Sequence, residues 1–361
     1  MSLKHLSEYR DAELCRRLAQ RIGQKSRRPL RLMEVCGTHT VSIFRHGLRA
    51  LLPDTISLLS GPGCPVCVTA QGEIDWFLAL SRRPGVIIVT FGDLLRVPGS
   101  GASLMAQRAQ GARVKVVDSS LAALQLAQDN PDQEVVFLGV GFETTAPTVA
   151  AAILEAERRG LKNFSVACAH KLMPPALCAL LSGGKVRLDG LICPGHVSVI
   201  IGANAYTPVA RDFSLPCVIA GFEPGDILQA IEMLVDQAEA GISQVQIAYG
   251  RAVTAGGNPK ALALMDQVFV PVDAAWRGLG VIPQSGLKIR EKYAAFDAGL
   301  RFNLAASEAP EPPGCSCGRV LSGLITPGQC PLFGKTCTPQ SPVGPCMVSS
   351  EGACAAYYKY R

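Results

Sequence analysis

Eight short apolar runs, each stopped by a glycine-rich or polar turn, set the narrowest limit on how this chain can fold. They are RLMEV (31–35), ISLLS (56–60), GVIIVTF (85–91), VKVVD (114–118), EVVFLGV (134–140), FSVACA (164–169), LDGLIC (188–193) and LPCVIAGF (215–222). Runs this short and apolar fit strands, and the intervening stretches carry helical patterns, as at 118–128 and 148–159. The alternation predicts an α/β fold with mainly parallel sheets. Three small motifs also recur at nearly one spacing. EVCGTH at Glu34–His39 matches VACAH at Val166–His170, PGC at Pro62–Cys64 matches PGH at Pro194–His196, and GDLL at Gly92–Leu95 matches GDIL at Gly225–Leu228. QVQIAY (244–249) falls near the place that corresponds to RVKVVD. The reading is an internal duplication: a first α/β domain over 28–133 and a second over 134–250. The remainder, 251–361 together with an N-terminal helix over 1–27, is expected to form a third, cysteine-rich domain. Because ligands in open α/β sheets bind outside the carboxyl ends of the strands, all these turns are expected to face a common cleft.

Composition closes off other classes. The chain has 361 residues, 48% of them hydrophobic and 18% charged, enough for two or three domains with their own cores. Its net charge of +6 is modest, and no basic run interleaved with aromatics points to nucleic acid. No segment reaches the roughly 18 apolar residues of a membrane span, and the N-terminus lacks the apolar stretch of a signal peptide. The expected location is therefore the cytoplasm. Disulfides are disfavoured there, so 14 cysteines call for metal or redox chemistry.

Six of those cysteines, Cys315, Cys317, Cys330, Cys337, Cys346 and Cys354, crowd a Pro- and Gly-rich tail without clear periodicity. Zinc and a [4Fe-4S] cluster each take four thiolates. One Cys-x-Cys pair followed by long, irregular gaps favours the cluster over zinc. Cys64 and Cys67 sit in SGPGCPVCVT behind a Gly-Pro-Gly turn. Their spacing suits a redox dithiol or half of a metal site, against the plainer alternative of two buried small side chains. Cys36 and His39 follow a strand in EVCGTHT, where thiolate and imidazole suit a transition metal such as iron. Two ligands leave such a site open, to be completed by Cys64, Cys67, small ligands or another protein. His196, Glu143 and Asp93 stand at other strand ends, where a helix-capping role competes with a place in the cleft. Cys168 and Cys193 lie near the expected cleft without a companion pattern, and no turn matches a nucleotide-binding fingerprint.

The motifs EVCGTHT, GPGCPVCVT, GFETTAPT and PGHVSVIIG, followed by the tail, resemble the HypD family of hydrogenase maturation factors, from about Arg31 to Tyr358. The tail also fits the family spacing Cys-x14-Cys-x6-Cys-x16-Cys through Cys315, Cys330, Cys337 and Cys354. Cys317 and Cys346 lie outside that spacing, and either is an alternative cluster ligand. The resemblance implies two similar α/β domains and a third holding a [4Fe-4S] cluster. It implies an assembly scaffold with redox activity, rather than a conventional turnover enzyme, for the Fe(CN)2CO group of [NiFe]-hydrogenases. Iron would be bound with the small chaperone HypC, cyanide would come from HypE with HypF, and the group would pass to the hydrogenase large-subunit precursor. In that setting Cys36, Cys64 and Cys67 are candidate iron ligands, and the last two alternatively a thiol relay from the cluster. His39 is a second ligand or proton donor, and His196, Glu143 and Asp93 line the cleft. The competing class is a stand-alone [4Fe-4S] thiol–disulfide oxidoreductase.

Overall fold

The computed structural model describes residues 8–360. The predicted runs become strands β1 (Leu30–Glu34), β2 (Ile56–Ser60), β3 (Val86–Thr90), β4 (Arg113–Val116), β5 (Glu134–Gly139), β6 (Phe164–Cys168), β7 (Gly190–Pro194) and β8 (Cys217–Ala220), followed by β9 (Val245–Ile247). They build two parallel sheets, ordered β2-β1-β7-β8-β9 and β4-β3-β5-β6. The central strands β3, β7 and β8 are buried along their whole length, as expected of strands covered on both faces. The helices that matter below are α1 (Ala12–Lys25), α2 (Gly37–Arg45), α3 (Pro65–Val68), α4 (Gln71–Ser81), α5 (Ala146–Arg158), α6 (Met173–Ser182), α7 (Gly195–Ile201), α8 (Pro224–Ala240), α9 (Pro345–Val348) and α10 (Ala353–Tyr360).

Two similar parallel α/β units and a cysteine-rich segment are thus present, but the boundaries differ from those expected. The chain leaves the first sheet after β2, builds the whole second sheet, and returns at β7. One unit therefore combines 30–60 with 190–247, and the other lies within 86–168, so a cut at 133/134 follows neither sheet. The motif spacing pairs the turn after β1 with the turn after β6, across the two sheets, yet pairs the turns after β2 and β7 within one sheet. What the units share is strand order: within each, the first strand lies between the second and the third. Residue spacing records distance along the chain and carries no information about which strands pair.

The N-terminal helix also sits elsewhere. Residues 1–7 lie outside the described residues. Helix α1, capped by the Asp11 side chain, packs on α8 of the first unit rather than joining the tail. Lys25 bonds both Glu232 and Asp236 at 2.8 Å, and Arg21 bonds Glu232 at 2.8 Å. A hairpin of β10 (Phe269–Trp276) and β11 (Gly280–Ile289) was not among the predicted strands. Its burial alternates and it contains Pro271, so it lacks the continuous apolar signal of the parallel strands.

Three apolar clusters hold the layers together. One backs the first sheet against α1 and α8, through Ile22, Leu30, Ile227 and Leu234. One lies between the second sheet, α5 and the hairpin, through Phe137, Ile153 and Phe269. The third joins the two sheets to the tail, from Met33, Val35 and Leu191 through Ile88 and Val136 to Cys317, Cys346 and Cys354. The tail is thus built into the core shared by both sheets. Among the described residues, no helix is long and apolar enough to cross a membrane.

Candidate functional site

In each sheet the connections diverge at one point, between β1 and β7 in the first and between β3 and β5 in the second. Such switch points open crevices at the carboxyl ends of the strands. Turns from both units meet in a cleft of about 380 Å³, lined by Cys36, Thr38, Gly63, Thr144, Thr145, His196 and Glu351 among others.

Cys36 lies two residues past the end of β1 and occupies the N-cap position of α2 in extended conformation, without a side-chain capping bond. Its sulfur faces the backbone N–H groups of Thr38 and His39. Burial, with the nearby Glu351 carboxylate, pushes its pKa up to about 12 against those N–H groups. Two glycines make the position possible. Gly37 donates to the Gly63 carbonyl at 3.0 Å, tying the two turns together. A Cβ at Gly37 would stand 2.4 Å from the Glu351 carbonyl oxygen, and one at Gly63 only 2.1 Å from the Cys36 nitrogen.

Cys64 and Cys67 form a disulfide, with Cα atoms 5.2 Å apart, at the N-terminus of α3, where Pro65 takes the first helical position. Both are buried, and neither lines the cleft, which Gly63 and Pro65 reach instead. In this oxidised form the two sulfurs are bonded to each other, so direct iron ligation requires their reduction first.

The remaining expected residues divide. His196 lies at the cleft, its ring stacked 3.9 Å from Phe222. Its pKa is lowered by the surrounding protein, against the opposing pull of Glu351. His39 is fully buried beneath Phe222, with ring centroids 5.0 Å apart, and its Nε2 lies 2.9 Å from the Gly221 carbonyl. That bond makes Nε2 the protonated nitrogen and leaves Nδ1 without a partner. Burial lowers the His39 pKa to about 4, so at neutral pH it is not a proton donor.

Glu143 turns away from the cleft. Its Oε1 accepts from the Met173 backbone N–H at 2.8 Å, which makes it the cap of α6, and burial raises its pKa to about 7. Its neighbours Thr144 and Thr145 line the cleft in its place. Asp93 is likewise outside the lining. It accepts from the hydroxyls of Ser349 at 2.8 Å and Ser350 at 3.3 Å, which anchors the tail immediately before Glu351. Asp93→Ala is expected to loosen that anchor by about 1–2 kcal/mol, read as faster amide exchange in residues 349–358 with little change elsewhere. The Cys168–His170 turn does not join the cleft either and faces a separate hollow.

Two carboxylates escaped the sequence reading. Glu351 comes from the tail and accepts from the Thr38 hydroxyl at 2.6 Å, beside Cys36. No local signal marks it, because its role depends on the tail folding back onto α2. Glu34, inside β1, accepts from Thr40 Oγ1 at 2.5 Å and from the Cys36 N–H at 3.3 Å. A carboxylate in an apolar strand was the available signal. Burial raises its pKa to about 8. A carboxyl raised above its unfolded value of 4.5 binds an extra proton in the fold, so its stabilisation is complete below pH 4.5 and is lost as pH rises towards 8. Wild type should therefore lose stability relative to Glu34→Gln between pH 5 and pH 8, by a few kcal/mol, in urea titrations at the two pH values.

All six tail cysteines line one small hollow, walled by Val320, Leu332, Phe333 and Met347. Cys317 and Cys346 bring their sulfurs within 2.7 Å. Gly344 leaves room there: a Cβ would stand 2.7 Å from Cys315 Sγ. Soft thiolates in an apolar wall are the donors an iron–sulfur cluster uses, and four of the six make a complete set, so the residues fit such a group. Among the described residues, no three His, Cys, Asp or Glu side chains converge on a single ion position. Helix α9, which carries Cys346, packs on α3, which carries Cys67.

Fold and site define a parallel two-sheet α/β protein whose cleft and tail are furnished with thiols rather than with a phosphate-binding glycine fingerprint. The family model described as HypD, hydrogenase formation hypA family, matches residues 13–361. The hydrogenase maturation factor HypD of Azotobacter vinelandii is 51% identical over 367 residues, covering 99% of this chain and 97% of that protein. The corresponding factors of Rhodobacter capsulatus and Escherichia coli K12 are each 46% identical, covering 99% of this chain and 98% of theirs. The chain belongs to the HypD family, and its role lies in hydrogenase maturation.

Proposed function

We propose that the chain is the scaffold on which the Fe(CN)2CO group of [NiFe]-hydrogenases is assembled, with iron as its cargo. The observation that carries this reading is the convergence of Cys36, His196, Thr144 and Glu351 in one open cleft at the β1/β7 switch point of the first sheet, which the turn after β5 of the second sheet joins. Cys36 is the iron ligand. Its proton must leave when iron binds, and Glu351, in the same cleft, is a carboxylate able to take it. The Thr38 and His39 N–H groups then hold the thiolate. One thiolate leaves the iron open for a cysteine of HypC, for cyanide from HypE with HypF, and for carbonyl. His196 and the Thr144 hydroxyl supply hydrogen-bond donors for bound cyanide. The finished group passes to the hydrogenase large-subunit precursor, in the cytoplasm.

Cys315, Cys330, Cys337 and Cys354 are the thiolates that would hold a [4Fe-4S] cluster, which supplies single electrons when bound. Cys64 and Cys67 take up two electrons and two protons when their disulfide opens to two thiols. Their helix lies between the thiolate pocket and the Cys36 turn, which supports a relay role. The same disulfide favours the second reading, a stand-alone thiol–disulfide oxidoreductase; that reading leaves the Cys36 cleft without a use.

The test is complementation of a host lacking its own HypD. The chain should restore [NiFe]-hydrogenase activity, and Cys64→Ser should bring it down to background while the protein stays soluble. Full activity in Cys64→Ser removes the relay. No restoration by the wild-type chain, with full disulfide reductase activity in vitro, replaces the scaffold with the oxidoreductase.

A further inference from the structure

A second hollow, of about 620 Å³, lies away from the cleft, between the end of β6, the β10–β11 hairpin, the first turn of α4 and the segment 306–311. The hairpin is clamped over it by backbone bridges from Thr69 to Trp276 and from Lys171 to Gly286. Its floor is rich in donors. Arg277 is 2% exposed, and its hydrogen bonds end on neutral oxygens, the Thr69 carbonyl at 3.0 Å and Gln71 Oε1 at 3.1 and 3.2 Å. Three of its five N–H groups are used in this way, which leaves two. Gln71 is 3% exposed, and its Nε2 is buried without a partner. Gln71 also opens α4, so its amide stands at the positive end of an 11-residue helix. Lys171 is buried in the same wall, its ammonium 2.5 Å from Glu73.

The acidic groups sit differently. Glu73 is engaged by Lys171 and by the Ala70 N–H, and Asp273 accepts from the Gln284 N–H. Glu308 and Glu311 lie on the 306–311 segment across the mouth, Glu308 exposed. Arg277 makes no bond to a carboxylate, although its charge also acts on the Cys317 thiol behind it, and the Gln71 amide has no partner; a buried cation and a buried amide so placed are costly unless something else satisfies them. We propose that this hollow is a ligand site, independent of the iron reading. It takes a small molecule whose carboxylate or phosphate head meets Gln71 and Arg277 and whose body is neutral or cationic towards Glu308.

Three probes test this by thermal shift of the full chain, at constant ionic strength: acetate, inorganic phosphate and 5-aminovalerate, a carboxylate with a cationic tail. The expected result is saturable stabilisation by acetate or phosphate, with 5-aminovalerate binding more tightly than acetate. Gln71→Leu should weaken all binding by at least 10-fold. Glu308→Gln, an exposed change, should remove the advantage of 5-aminovalerate and leave acetate unaffected. The proposal is overturned if no probe stabilises saturably, or if Gln71→Leu binds as wild type does. Should Gln71→Leu not fold, an unchanged preference for 5-aminovalerate in Glu308→Gln overturns it equally.

Discussion

Cys36→Ser is expected to keep the fold and to lose iron retention by more than about 100-fold, with hydrogenase maturation reduced to background. Removing a group that merely backs a metal ligand typically weakens binding by roughly 10–100-fold, and loss of the ligand itself should exceed that. The fold should survive because the Cys36 side chain makes no capping bond, and its backbone ties, to Glu34 and Thr40, do not involve the sulfur. Serine is nearly isosteric, but its hydroxyl is a harder donor and far more reluctant to ionise than a thiol. Iron content after anaerobic purification with the partner chaperone, beside an unchanged circular dichroism spectrum, checks both halves. Retention of iron within a few-fold of wild type would move the ligand elsewhere in the cleft.

Gly63→Ala is expected to destabilise the protein by about 3 kcal/mol and to disable the cleft as well. Overpacking a tight site typically costs about 1–3 kcal/mol, and more when the neighbours cannot move. Here the three nearest atoms, at 2.1, 2.3 and 2.4 Å from the new methyl carbon, are all backbone of Val35 and Cys36. The only relief is to part the Cys36 turn from the Cys64 turn, which breaks the Gly37–Gly63 bond. Gly23→Ala is the control, since a methyl there meets nothing within 4 Å inside α1. It should raise stability by about 0.5–1 kcal/mol, through helix propensity alone. Urea midpoints for the pair measure the difference.

Legibility in the sequence followed the range of the interaction. The central strands were readable because burial on both faces leaves an uninterrupted apolar run, and the turns of the cleft were readable because Gly37 and Gly63 must stay small. The candidate residues Cys36, Cys64, Cys67 and His196 stand within a few residues of a strand end, and the chain itself puts them there. Glu143 and Asp93 satisfied the same local rule yet serve packing, one capping α6 and the other holding the tail. Which way a turn residue faces depends on what packs against it. Glu351, the return of the chain to the first sheet at β7, and the hairpin all rest on contacts between distant segments, which spacing does not encode. The motif repeat showed that limit directly: Cys168, like Cys36, stands within two residues of a strand end and precedes a histidine, but a different hollow lies in front of it.

The most direct test of the scaffold is infrared spectroscopy of the anaerobically purified complex with its partner chaperone, in the stretching region of metal-bound cyanide and carbonyl. The account predicts such bands on wild type and none on Cys36→Ser, with the iron–sulfur absorption kept in both. Bands of equal strength on Cys36→Ser, or none on wild type with the whole maturation set present, would contradict it.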